Sequence, residues 1–133
     1  MIKSNIKKEF KCDKEKLWNI ITDNTNYNWR SDISKIEIVD DTHFIEYAKN
    51  NYPTYFTITS KKKLKEYKFD IENTNIKGQW IGLFNELPNG NVELDFTEEI
   101  IANNILMKIL AKPYLKSSQK RYFKDLEKAI NNK

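Results

Sequence analysis

The side chains best placed to do chemistry are two carboxylates, each sharing a face with apolar residues. In Val92–Ile100 the alternate positions Val92, Leu94, Phe96, Glu98 and Ile100 point the same way in an extended chain, so Glu98 lies on the face its apolar neighbours mark as inward. Glu46 stands likewise between Phe44 and Ala48. A carboxyl in apolar surroundings resists ionisation and can act as an acid, a base or a hydrogen-bond anchor for a ligand. Either could instead pair with Arg30 or a lysine, and two acids alone specify no reaction.

Other chemistry finds little support. His43 is the single histidine, beside Asp41 at a hairpin end, whereas a metal site needs three or four convergent ligands. Cys12 is the one cysteine, which excludes an internal disulfide, and just before a helix cap it reads as a buried apolar residue rather than a nucleophile. With only Gly78, Gly82 and Gly90 in the chain, no phosphate loop or serine elbow is present. No metal and no cofactor are therefore expected. The aromatic set Trp29, Phe56, Phe69, Trp80, Phe84, Phe96 and Tyr122 is larger than a small core needs, and marks candidate walls of an apolar pocket. Within it Trp80, Phe84 and Phe96 are favoured, because neighbouring antiparallel strands would place them together.

The elements that must position these groups follow from periodicity. Ile2 to Phe10 alternates as a strand with one apolar face. At Asp13 the period changes. An N-cap there, followed by Leu17, Trp18, Ile20 and Ile21 at helical spacing, predicts a short amphipathic helix ending near Asp23. Asn24–Asp32 reads as a loop or helical turn, giving two short helices between the first two strands. Six more strands are predicted at Ile33–Val39, Thr42–Ala48, Tyr52–Ser60, Leu64–Glu72, Gly78–Leu87 and Val92–Ala102. The connecting turns are short, which forces antiparallel neighbours. From Ile105 to about Ile130 the helical period returns, with Leu115, Gln119, Tyr122, Leu126 and Ile130 on one side and Leu106, Ile109 and Leu110 nearly opposite. Pro113, which lacks an amide hydrogen and crowds the preceding turn, predicts a kink or a fresh start near Lys112.

At 133 residues there is room for one domain, spanning residues 1–133. The formal charge of +4 is unevenly placed. Residues 105–133 hold seven Lys and Arg121 against Asp125 and Glu127, a net of +6, which leaves −2 for the rest. The helical lysines recur every fourth residue and so wind around the axis rather than forming one flat basic face. With two arginines in the whole chain, no specific nucleic-acid site is expected. No apolar run approaches the ~18–20 residues needed to cross a bilayer, and the N-terminus has no signal-peptide core, so a cytoplasmic location is expected.

Several residues sharpen this pattern. Leu17-Trp18-Asn19-Ile20-Ile21-Thr22-Asp23, then Trp29-Arg30-Ser31-Asp32-Ile33, resembles the signature of the START-like (SRPBCC) superfamily in its polyketide cyclase, dehydrase and lipid transport branch. Gly78-Gln79-Trp80, the Pro88-Asn89-Gly90 turn, Phe96-Thr97-Glu98 and the Leu126-containing terminal helix resemble its later landmarks. Val39-Asp40-Asp41-Thr42 stands where the plant pathogenesis-related branch has a glycine-rich loop, so that branch's ligands are not implied. The resemblance implies an α+β helix-grip fold, a curved antiparallel sheet of about seven strands around a long C-terminal helix, with an internal cavity. It implies a small, largely apolar ligand, lipid- or polyketide-like, held by a carrier or sensor that is a monomer or weak homodimer. A cyclase-, dehydrase- or hydrolase-type enzyme using Glu46 and Glu98 is the alternative. A ligand-binding set of Trp29, Glu46, Phe56, Phe69, Trp80, Phe84, Phe96, Glu98 and Tyr122 is expected.

Overall fold

A computed structural model describes residues 1–131. Seven strands, β1 (Ile2–Phe10), β2 (Ile33–Ile38), β3 (His43–Ala48), β4 (Pro53–Lys62), β5 (Glu66–Glu72), β6 (Ile76–Glu86) and β7 (Val92–Ala102), form one antiparallel sheet in the order β1-β7-β6-β5-β4-β3-β2. Helix α1 (Lys14–Thr22) follows β1, and α2 (Ile105–Asn131) follows β7. The fold is the α+β helix grip, a curved sheet around a long terminal helix.

Alternation sets the inner face. In β7, Val92, Leu94, Phe96 and Ile100 are buried, and in β5 Tyr67, Phe69 and Ile71 are buried. α2 closes this face with Leu115, Gln119, Phe123, Leu126 and Ile130. The Phe123 ring lies edge-on to Phe10 at 5.4 Å, joining helix to sheet. At 0% exposure, Leu126 and Leu94 sit at the centre of this packing, where each large side chain contributes roughly 2 kcal/mol or more by burial. Polar fastenings add direction. The Ser4 hydroxyl donates to Gln119 Oε1 at 2.7 Å while Gln119 Nε2 donates back to the Ser4 carbonyl, tying β1 to α2. Both groups are fully buried, and each satisfies the other.

α1 begins as its sequence dictates, with the Asp13 carboxylate accepting the Lys16 amide at 2.7 Å, and it buries Leu17, Trp18 and Ile21. No second helix follows. Between Asp23 and Asp32 the chain spends its polar groups on local turns instead: Asp23 accepts from the Thr25 amide, and the Arg30 amide donates to the Tyr27 carbonyl at 3.0 Å. Without an apolar stripe to bury, this stretch has no reason to extend a helix.

The terminal helix also differs from expectation, because α2 runs unbroken through Pro113. Ala111 and Leu115, one turn apart on either side of the proline, are both buried against Ile100. That shared anchor holds one helical face continuous across Pro113. Leu106, Ile109 and Leu110 accordingly point outward, 50–68% exposed. Leu64, predicted as strand, sits in the β4–β5 turn with a left-handed φ of 66°.

Candidate functional site

Between the inner face of the sheet and α2 lies a cavity of about 300 Å³. Its apolar wall comes from alternate residues of successive strands: Phe44 of β3, Phe56 of β4, Phe69 of β5, Trp80 of β6 and Phe96 of β7. These rings brace one another. Phe44 and Phe56 stack at 4.8 Å, Phe69 and Trp80 stack at 4.7 Å, and Trp80 lies 4.7 Å from Phe96. Gly82 makes room for the indole, since a Cβ there would come within 2.6 Å of the Trp80 ring. α2 contributes Tyr122 on the far side, edge-on to Phe96 at 5.4 Å.

The polar groups gather at one side of these rings. Arg30, from the turns before β2, reaches over the cavity and is held by two carboxylates at once. Its Nε and Nη2 donate to Asp32 at 3.0 Å each, while Nη1 and Nη2 donate to the two oxygens of Glu46 at 3.2 Å each. The guanidinium also lies 5.1 Å from the Tyr122 ring centre and 5.8 Å from that of Trp29. Burial opposes the charge on Arg30, but Glu46 and Asp32 overcome it and hold the guanidinium firmly protonated. The same bonds overcome burial at Asp32 and keep its carboxyl below the usual range.

Glu98 has no such partner. It stands opposite Trp80 in the β6–β7 ladder and opposite Ser4 in the β1–β7 ladder, and its carboxyl makes no hydrogen bond or ion pair with the described residues. Burial pushes it up to about 8, the nearby Glu46 charge adding to the rise, Arg30 opposing it and Asp32 adding a little more. Glu98 is therefore mainly protonated at neutral pH. Tyr67 is a second unanswered group, 2% exposed, its hydroxyl buried without a partner among the described residues. Burial raises its phenol, and the Asn24 side chain lies near enough to oppose that rise without the geometry of a hydrogen bond. Burial raises Tyr122 and Tyr114 as well.

Of the residues singled out in the sequence, Glu46, Phe56, Phe69, Trp80, Phe96, Glu98 and Tyr122 line this one cavity. Trp29 and Phe84 do not. Trp29 packs behind Tyr122 at 5.4 Å, and Phe84 packs on Trp18 of α1 at 5.1 Å. Phe84 shares the inward face of Trp80, yet four residues along a strand is ~13 Å, and face alone does not give position along the strand. Phe44, Tyr67 and Asp32 were not singled out for this wall. Phe44 and Tyr67 were legible in principle, since they alternate with Glu46 and Phe69. His43 lies at the surface on the β2–β3 hairpin, its Nδ1 2.8 Å from Asp40 Oδ1. Among the described residues no cluster of three metal-ligating side chains occurs. No helix among them is long and apolar enough to cross a membrane.

A second, larger concavity of about 470 Å³ lies on the outer face of the sheet, between Tyr55, Asp70, Glu99 and Ile101. It is open to solvent and its carboxylates are not desolvated by aromatic walls, so the inner cavity is the one with distinctive chemistry.

No family model matches the sequence, and no curated protein is similar to it in sequence. Solved structures are similar in fold. A START superfamily protein from Mycobacterium smegmatis superposes with a TM-score of 0.87 at 10% identity, over 97% of each chain. A conserved protein from Geobacillus kaustophilus gives 0.85 at 13% identity, over 98% of this chain and 95% of that one. A protein in the dynemicin biosynthetic locus gives 0.80 at 7% identity, over 98% of this chain and 47% of that one. With the sheet order, the terminal helix and these superpositions in agreement, the chain has the START-like helix-grip fold.

Proposed function

We propose that the chain binds a small, largely apolar molecule in the cavity under α2, as a carrier or sensor. The observation that carries this reading is the pairing of an aromatic wall with two polar groups that no described residue answers, the buried Tyr67 hydroxyl and the half-buried Glu98 carboxyl. Buried polar groups without partners cost free energy unless something bonds to them, and a ligand's polar end would do so. The volume of about 300 Å³ is at the lower end of the range for ligand pockets and suits one or two fused rings or a short chain. Glu98 and Tyr67 would meet the ligand's polar end, and Phe69, Trp80, Phe96 and Tyr122 its apolar body.

A cyclase-, dehydrase- or hydrolase-type use of Glu98 as a general acid is the second reading. What favours it is a carboxyl that stays protonated at neutral pH beside a second carboxylate, Glu46. What weighs against it is that Arg30 engages both oxygens of Glu46, leaving that group poorly placed to act as a base.

The binding reading is tested with the uncharged fluorophore N-phenylnaphthylamine and the variant Ser118→Phe, which places a ring in the cavity from α2. Saturable binding of one fluorophore per chain is expected, weakened at least about tenfold by the variant while its thermal unfolding stays cooperative. Absence of saturable binding, or binding indifferent to Ser118→Phe, would overturn the reading.

A further inference from the structure

The charged groups lining the cavity do not balance in every state. From the turns before β2 come Arg30 and Asp32, from β3 Glu46, from β7 Glu98, and from the exposed rim of α2 Arg121. With Glu98 protonated, two positive and two negative charges cancel. With Glu98 ionised, the lining carries one negative charge in excess, and neither Arg30 nor the exposed Arg121 forms an ion pair with Glu98. Arg30 is already spent on Asp32 and Glu46 through four hydrogen bonds. A ligand that brings its own positive charge would supply the balance that Glu98 lacks. Trp80, Phe96 and Tyr122 line the same cavity as Glu98, and aromatic rings accept a cation over their faces more readily than an anion.

Resting on the reading of this cavity as a ligand site, we propose that its ligand is an amphipathic amine, with its ammonium group set against the Glu98 carboxylate and its apolar body against Phe69, Trp80 and Phe96. The proton balance is simple. An ammonium ligand entering displaces the Glu98 proton to solvent, whereas a neutral amine entering takes that proton directly, and both routes end in the same ion pair. The ammonium has a further hydrogen to donate, for which the Tyr67 oxygen is an unoccupied acceptor in the same lining.

Five other groups of the lining are shifted away from the range between pH 6 and pH 8. Asp32 is lowered because its bonds to Arg30 outweigh burial, while Arg30, Tyr67, Tyr114 and Tyr122 are raised. His43 lies at the surface against Asp40, outside the lining. Affinity for an amine should therefore rise about tenfold per pH unit below the Glu98 midpoint and level off above it.

Three probes of one shape separate the possibilities: naphthylmethylamine, naphthalenemethanol and naphthoic acid, titrated calorimetrically into the full chain in two buffers of different ionisation enthalpy. The amine should bind at least about tenfold more tightly than the alcohol at pH 8, with the acid weakest, and should release close to one proton per ligand at pH 6.5. In Glu98→Gln the amine should lose both its advantage over the alcohol and its proton release. An alcohol that binds as tightly as the amine, or an amine preference that survives Glu98→Gln, would overturn the amine assignment and leave the cavity reading standing. If none of the three binds, both fail.

Discussion

Under the grip helix the molecule has a packed end and an open end, built by the same strands. At the packed end, Phe10, Leu17, Val92, Leu94 and Leu126 are at most 1% exposed, and α1 lies over the sheet with Lys16 donating to the Ile130 carbonyl at 2.8 Å. At the open end, only four residues further along β7, Glu98 faces a cavity. The strands do not cause the difference, since β6 and β7 run through both ends with unbroken alternation. The cover does. Phe123, Leu126, Ile130 and α1 fill the packed end with side chains, while the open end is roofed by turns whose inward reach is a single guanidinium held by two carboxylates. That roof is itself fastened to α2, because the Ser31 amide and hydroxyl both donate to the buried Asp125 carboxylate at 2.8 Å. Dense packing and cavity thus divide along the helix axis, with polar groups retained where packing is incomplete.

Changes at the two ends should differ in size and in pH dependence. Leu126→Ala removes a fully buried side chain from the packed end and should cost ~2–5 kcal/mol in urea unfolding. A loss below ~1 kcal/mol would show that this end is not packed as described. Arg30→Met leaves Asp32 and Glu46 without their cation and should cost about 2–4 kcal/mol near neutral pH. Because Asp32 has a depressed pKa when folded, its share of the stabilisation is present above the unfolded value and disappears as the pH falls through the folded one. The wild-type advantage over Arg30→Met should shrink in acid, and an advantage that persists unchanged would argue against the ion pair.

Glu98→Gln should have the opposite sign. A folded carboxyl raised to about 8 contributes stability that is fully present below the ordinary value of 4.5 and lost as the pH rises toward 8. The glutamine variant carries no such loss, so it should match the wild type near pH 4 and exceed it by up to about 4 kcal/mol at pH 8. Denaturant titrations at the two pH values check this, and equal stabilities at pH 8 would contradict it. The smallest effect is expected at the first turns of α2, where Ile109 is 68% exposed: Ile109→Gln should change stability by less than ~0.5 kcal/mol. A larger loss would mean that this apolar stretch is covered in solution.

Much of this was legible in the sequence. Alternation gave all seven strands and the inward aim of Glu98, because a half-buried strand writes its face into every second residue. Leucine spacing in α2 gave the face that closes the core. Pro113 misled, because a kink was inferred from the proline alone, whereas Ala111 one turn before Leu115 supplies a common anchor that only tertiary packing with Ile100 makes decisive. At the site, the aromatic wall was mostly readable, but the fates of the two glutamates were not. Glu46 and Glu98 have the same local pattern. One is captured at both oxygens by Arg30 from the turns before β2 and the other has no ion-pair partner among the described residues, a matter of loop path rather than of residue type. The Ser4–Gln119 fastening lay on two inward positions and could have been suspected from polar residues on apolar faces.

The central claim is that Glu98 is a desolvated, unpartnered carboxyl at the heart of a ligand cavity. The most direct test follows the Glu98 side-chain carboxyl carbon by NMR from pH 3 to pH 10 in the full chain, assigned by its loss in Glu98→Gln. The account predicts a midpoint near 8, moving downward when naphthylmethylamine is added. A midpoint near the ordinary 4.5, unmoved by the amine, would place Glu98 in solvent and contradict it.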